Sequence, residues 1–213
     1  GLFNVVLVFL LARRLFGRAT ALLAAAFMAG YWVFLYFEGV LTYPAVAIFV
    51  LLCLMHALSG WAARPNWKRA ALAGLLLGVF GLFRPNGLLF LPVAGLWMLW
   101  LRTRRRDWRG AAASCAALLA GVAVALAPPM VRNYVVADDF VFLSSYGGIN
   151  LYVGNNPRAS GVEPRIPGLQ QLTGSEHWNC FDYPRIVDGL ARKLGRDELS
   201  FSEANRYFYR SEE

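Results

Sequence analysis

Six apolar runs set apart by short clusters of arginine and lysine leave this chain few ways to fold. The runs cover residues 1–12, 19–37, 43–61, 70–83, 87–101 and 110–128. A helix needs roughly 20 apolar residues to cross the hydrocarbon core of a bilayer. The second, third and sixth runs are long enough. The first opens at Gly1 without its own beginning, and the chain closes at Glu213 within a predicted helix, so a piece of a longer protein is expected, with its first span cut. The fourth and fifth runs are each a little short and are separated only by Arg84-Pro85-Asn86. They predict two helices joined by a tight turn, with a kinked or partly re-entrant pair as the alternative.

Charge follows the same partition. Residues 1–129 carry twelve Lys or Arg against two acids, Glu38 and Asp107, whereas residues 130–213 carry nine bases against eleven acids. With 58% hydrophobic and 16% charged residues, the chain departs from soluble domains, which hold about 45–50% and about 25%. The net charge of +8 therefore marks membrane topology and not a nucleic-acid partner. The loops at 13–18, 64–69 and 102–109 hold eleven of the twelve bases, and the intervening loops hold only Arg84. By the positive-inside rule the first set faces the cytoplasm and residues 130–213 face away from it. The fold expected is mainly α: a polytopic helix bundle of about five to six spans over residues 1–129, followed by a small extracytoplasmic α+β segment over 130–213.

Within that second segment, Phe140–Leu143 and Ile149–Val153 have strand character, and Gly147-Gly148 and Gly154–Pro157 have turn chemistry. Residues 157–175 suggest an irregular loop. Pro184–Leu194 has helical periodicity, with Ile186, Val187, Leu190 and Leu194 on one face. Ser200 and Glu203 have capping-box spacing for a last helix toward Arg210. Gly74 and Gly78 form a GxxxG pair suited to a close helix contact. Three dispersed cysteines and two distant histidines give no metal or disulfide framework.

Charges at the outer ends of spans are the candidates for chemistry. Arg84 offers a planar fork of donors that suits phosphate oxygens; the plainer reading is a side chain reaching the lipid headgroups. Glu38 would bind a cation, pair with Arg84 or orient a polar acceptor, or else stand solvated in a short loop. The run Tyr146–Pro157 joins turn glycines to Asn150, Tyr152, Asn155 and Asn156. Such amides and phenols suit sugar binding, and a structural cap is the competing account. No Lys followed by Ser or Thr makes it a P-loop.

Several segments together resemble the bacterial membrane glycosyltransferases of the GT-C class, related to protein mannosyltransferases and the lipid A aminoarabinose transferase. They are Leu11–Arg18, Tyr36-Phe37-Glu38-Gly39-Val40-Leu41, Leu82-Phe83-Arg84-Pro85-Asn86-Gly87, Pro128-Pro129, Arg132-Asn133-Tyr134, and Gly147–Pro157. The resemblance implies transfer of a sugar from a polyprenyl-phosphate carrier to a lipid, glycan or protein acceptor on the outer face of a bacterial inner membrane. It implies a general-base Asp in a first outer loop that would lie upstream of Gly1, so no catalytic residue is assigned. Arg84 and, second, Arg132 are then the candidates for the donor phosphate. Glu38, Asn86, Asn150, Tyr152, Asn155 and Asn156 are candidates for sugar or acceptor contacts. The class admits a divalent cation at the lipid phosphate, though no cluster here demands one. Thr42-Tyr43-Pro44 stands where many relatives carry an acid, which leaves a carboxylate role for that loop unsupported. A transporter or flippase of lipid-linked sugars, or a non-catalytic scaffold, would share the same spans.

Overall fold

A computed structural model of the chain describes residues 1–40, 43–137, 139, 141, 143–156, 159, 161, 168–173 and 182–210. Two compact units emerge, Gly1–Pro128 and Pro129–Glu213.

The first unit is built from packed helices. α1 (Leu2–Phe16) and α2 (Arg18–Gly30) form a hairpin about Gly17, whose φ of +91° suits glycine. α3 (Trp32–Gly39) continues α2 at a bend of 51°. α4 (Tyr43–Ala63) returns against α1, and α5 (Trp67–Phe83) packs back on α4 after an Asn66 cap whose side chain accepts the Arg69 amide at 2.9 Å. A 3₁₀ turn (Pro85–Leu89) leads into α6 (Phe90–Thr103), and α7 (Trp108–Ala137) follows.

Two of these helices, α4 and α7, are long and apolar enough to cross a membrane, and the bent α2/α3 pair makes a third if it acts as one span. The expected five to six spans are not borne out by length. α1, α5 and α6 hold 15, 17 and 14 residues, roughly 21–26 Å at 1.5 Å per residue. The run at 19–37 is interrupted because Tyr31 leaves the helix (φ −78°, ψ 106°) and its carbonyl caps the next one, accepting the Phe34 amide at 3.0 Å. Phe27, Tyr31 and Phe34 stack around this elbow at 5.2–5.6 Å. The run at 110–128 overshoots its expected end. α7 passes straight through Pro128-Pro129 to Ala137. Two prolines remove two amide donors, a loss that membrane-type helices tolerate.

α4 serves as a ruler for the unit. At its last turns, the Arg14 guanidinium donates to the Ser59 carbonyl at 2.9 Å and Arg69 donates to the Gly60 carbonyl at 2.7 Å. The Trp61 ring meets Trp97 of α6 at 5.6 Å, one turn before the Arg102–Asp107 ion pair. The loops rich in arginine thus share one end. At the first turns of α4, Asn4 donates to the Ala45 carbonyl at 3.1 Å and Phe3 meets Phe49 at 6.5 Å. Tyr43 meets Arg84 there. His56, midway, bonds the Leu7 carbonyl at 2.9 Å.

The GxxxG pair packs within the chain, against α7. A Cβ on Gly74 would lie 2.0 Å from the Leu118 carbonyl oxygen, and one on Gly78 would lie 2.6 Å from the Ala125 Cβ. Gly121, from the α7 side, completes the contact 2.2 Å from the Ala71 carbonyl oxygen.

The second unit holds helices and no strand among its described residues, which corrects the α+β expectation. Ile149–Val153 lies in α8 (Gly147–Asn155) and Val141 and Leu143 are in no strand; Phe140 and Phe142 lie outside the described residues. The glycine pair starts a helix where a turn was expected. A Cβ on Gly148 would sit 2.1 Å from the Asn205 carbonyl oxygen, and the Gly148 amide donates to the Asn205 side chain at 2.6 Å. α8 thereby seats on α11 (Phe201–Arg210). α9 (Leu169–Thr173) falls within the segment expected to be irregular and packs on α10 (Tyr183–Lys193). Ile149, Tyr183, Ile186, Leu190 and Phe208 are central to the core. Leu194, expected on that face, is exposed at the end of α10. The Tyr183 hydroxyl donates to the Ser145 carbonyl at 2.8 Å. Burial first, and the neighbouring Tyr146 second, push its pKa up to about 12, so it remains a donor at physiological pH.

The capping box of α11 closes on both sides. The Glu203 amide donates to Ser200 Oγ at 3.2 Å and the Ser200 amide to Glu203 Oε2 at 3.1 Å. Asp139 adds a second anchor, its carboxylate accepting the Ser202 amide at 2.8 Å and the Ser202 hydroxyl. Asp139→Ala is expected to cost about 1–2 kcal/mol, the range of a lost N-terminal cap. Faster hydrogen exchange across α11 would register that loss, and unchanged exchange would show the anchor to be idle.

Candidate functional site

The end of the first unit opposite the arginine-rich loops gathers Glu38, Tyr43, Arg84 and Asn86. Arg84 follows the last residue of α5. Its amide donates to the Phe80 carbonyl at 2.9 Å, and its own carbonyl accepts the Gly87 amide at 2.7 Å. Its extended backbone (φ −139°, ψ 90°) suits a residue preceding proline, and Pro85 then starts the 3₁₀ turn. The main chain is thus held on both sides while the side chain is exposed. The guanidinium carbon lies 5.3 Å from the centre of the Tyr43 ring. Among the described residues no carboxylate lies within ion-pair distance of it.

A groove of about 420 Å³ reaches Asn86 and Gly87, two and three positions after Arg84, although Arg84 itself does not line it. Leu51, Leu54 and Met55 of α4 form one wall and Leu77 and Phe80 of α5 another, and Asn86, Gly87, Leu89 and Phe90 close the end. Asn86 supplies its one polar side chain. Gly87 lets the Phe80 ring lie close, because a Cβ there would come 2.5 Å from that ring and displace it. An exposed cation two positions from the lining of an apolar trough suits an amphiphile with an anionic head.

Glu38 is at the same end but does not line the groove. Its carboxylate lies 3.1 Å from the Gly1 nitrogen, and its side chain is 26% exposed. A carboxylate at the start of α1 is favourably placed for the helix dipole.

The remaining candidates belong to the second unit. Arg132 is exposed on the last turns of α7. Asn150 is exposed on α8, and the half-buried Tyr152 ring meets Phe208 at 5.7 Å. The Asn155 amide donates to the Leu151 carbonyl at 2.8 Å, and the Asn156 amide to the Tyr152 and Val153 carbonyls at 3.0 and 3.1 Å. Both thus finish the helix they belong to. Asp139 is a buried carboxylate whose two oxygens are occupied by Ser202. Among the described residues no three His, Cys, Asp or Glu converge on a metal position.

Sequence reasoning missed Tyr43, which was noted only as a departure from an acidic position. The signal available was its place immediately before Pro44. Proline at the second position of a helix fixes where α4 begins, and so fixes the aromatic residue before it.

Residues 1–131 match a family model described as dolichyl-phosphate-mannose-protein mannosyltransferase. No curated protein and no solved structure matches the chain.

Proposed function

Taking as premise that this chain belongs to the dolichyl-phosphate-mannose-protein mannosyltransferase family of membrane glycosyltransferases, we propose that it handles a polyprenyl-phosphate-linked sugar donor and passes the sugar to a lipid, glycan or protein acceptor. The basic end of the first unit faces the cytoplasm, the Arg84 end faces the outer surface of a bacterial inner membrane, and residues 130–213 are extracytoplasmic. The sharing of one end by the arginine-rich loops supports this orientation.

The observation that carries the reading is an exposed Arg84 over the Tyr43 ring, two positions before Asn86 in the lining of the apolar groove. In the transfer, an acceptor hydroxyl attacks the anomeric carbon and gives up its proton to a base. The bond from that carbon to the phosphate oxygen breaks, and the bonding pair leaves with the carrier phosphate. Negative charge grows on the phosphate as this happens. A cation already fixed at that place lowers the barrier because nothing needs to reorganise. Arg84 is that cation, the groove receives the first part of the isoprenoid chain, and Asn86 stands where sugar and chain meet. Arg132 is the second candidate for the phosphate. Asn150, Tyr152, Asn155 and Asn156 are contacts for sugar or acceptor. No residue is assigned as the general base, and Glu38 is a contact for sugar or acceptor.

Proteoliposomes of the full-length protein, loaded with a radiolabelled polyprenyl-phosphate hexose and a membrane extract as acceptor source, test this directly. Label is expected to leave the carrier and appear in the acceptor fraction. Label that crosses the bilayer still attached to its carrier would instead identify a flippase.

A further inference from the structure

We infer that Tyr43 is a positioning residue for the donor phosphate: its ring holds the Arg84 guanidinium by a cation–π contact that occupies none of its N–H donors. The inference rests on the reading of Arg84 as the donor-phosphate cation. Arginine side chains carry about 2 kcal/mol of rotamer entropy, and a long exposed one would ordinarily sample many directions. Here one direction is selected. The guanidinium carbon lies 5.3 Å from the centre of the Tyr43 ring, within the range of a cation–π contact.

Both partners are mounted on fixed backbone. Tyr43 is the first residue of α4 and is followed by Pro44, whose ring sets the backbone angle of the first turn. Arg84 is held by the Phe80 and Gly87 hydrogen bonds. No described carboxylate competes for its donors. A cation–π contact uses none of the guanidinium N–H donors, which leaves them for two parallel bonds to a phosphate. The contact also joins the first residue of α4 to the residue after α5, the two helices whose side chains form the long walls of the groove. It therefore ties the cation to the helices that wall the trough. The plainer account of Tyr43 is an aromatic residue at the membrane–water boundary, where such rings are common. That account predicts no dependence on the phosphate.

Binding of farnesyl phosphate and of farnesol to the full-length protein in nanodiscs separates the two. Tyr43→Leu is expected to weaken farnesyl phosphate roughly three- to fivefold, the size of an exposed cation–π contact, and to leave farnesol unchanged. Tyr43→Phe, which keeps the ring, should stay within about twofold of wild type. Equal weakening of both ligands by Tyr43→Leu would mean that the ring only packs the groove, and would overturn the inference. So would an unaffected Tyr43→Leu beside a weakened Arg84→Ala, while leaving the role of Arg84 standing. Unchanged farnesyl phosphate binding in Arg84→Ala would remove the underlying reading itself.

Discussion

Arg84→Ala is expected to lower sugar transfer by about 10²-fold in the full-length protein, with yield and thermal stability close to wild type. The magnitude follows from the loss of one preorganised group facing a developing oxyanion. A hundredfold corresponds to about 2.7 kcal/mol of transition-state stabilisation. The carrier phosphate already bears charge in the bound donor and gains more as the glycosidic bond breaks, so the turnover number should fall further than the Michaelis constant rises. Stability should survive because the side chain is exposed and has no carboxylate partner among the described residues. Its fixed position comes from main-chain bonds to Phe80 and Gly87 that alanine retains. Arg84→Lys should recover part of the loss, since it restores a charge without the planar fork. Turnover equal to wild type in Arg84→Ala would take this residue out of the mechanism and leave family membership untouched.

The parts of this fold that the sequence disclosed are those governed by composition. Long apolar runs became α4 and α7, and the arginine clusters marked one end of the first unit because solvated charge cannot be threaded through a hydrophobic stack. Contacts that depend on tertiary fit were harder to see. Nothing local in Met28–Phe34 announces that Tyr31 will leave the helix, since the elbow is held by rings three and four residues away. Pro128-Pro129 signals a stop under rules drawn from soluble helices, yet α7 continues through it. Gly147-Gly148 carries turn chemistry, but Gly148 is small because the Asn205 backbone lies against it, 57 positions along the chain. The same division holds at the candidate site. Arg84 was legible as a charge on the wrong side for topology. Its stacking on Tyr43 was not, because aromatic residues at span ends are too common to single one out. Asn155 and Asn156 stood out by composition, and their first use in the structure is to bond the carbonyls of their own helix.

Gly121→Leu is expected to damage the first unit severely, and it links the fold to the site. The three atoms nearest a Cβ at Gly121 would all be backbone: the Ala71 oxygen at 2.2 Å, the Leu75 nitrogen at 2.6 Å and the Gly74 carbonyl carbon at 3.0 Å. Flexible side chains can rotate away from an intruder, but a helix backbone must move as a body. Gly74 sees the mirror situation at the Leu118 carbonyl, so α5 and α7 are in contact along their main chains and no local repacking can make room. Overpacking in cores typically costs about 1–3 kcal/mol and more where nothing yields. A loss of about 3 kcal/mol would lower the melting temperature by roughly 6–12 °C for a protein of this size. Gly95→Leu is the matched control, because a Cβ at Gly95 has no neighbour within 4 Å; its melting temperature should stay near wild type. Since α5 ends at Arg84, moving it off α7 also displaces the guanidinium from Tyr43 and narrows or opens the groove that α5 helps to wall. Donor binding should therefore fall in Gly121→Leu even at temperatures where the protein remains folded. Equal melting temperatures for Gly121→Leu and Gly95→Leu would show that α5 and α7 are not in main-chain contact, and would detach the position of Arg84 from the helix pair that is held here to set it.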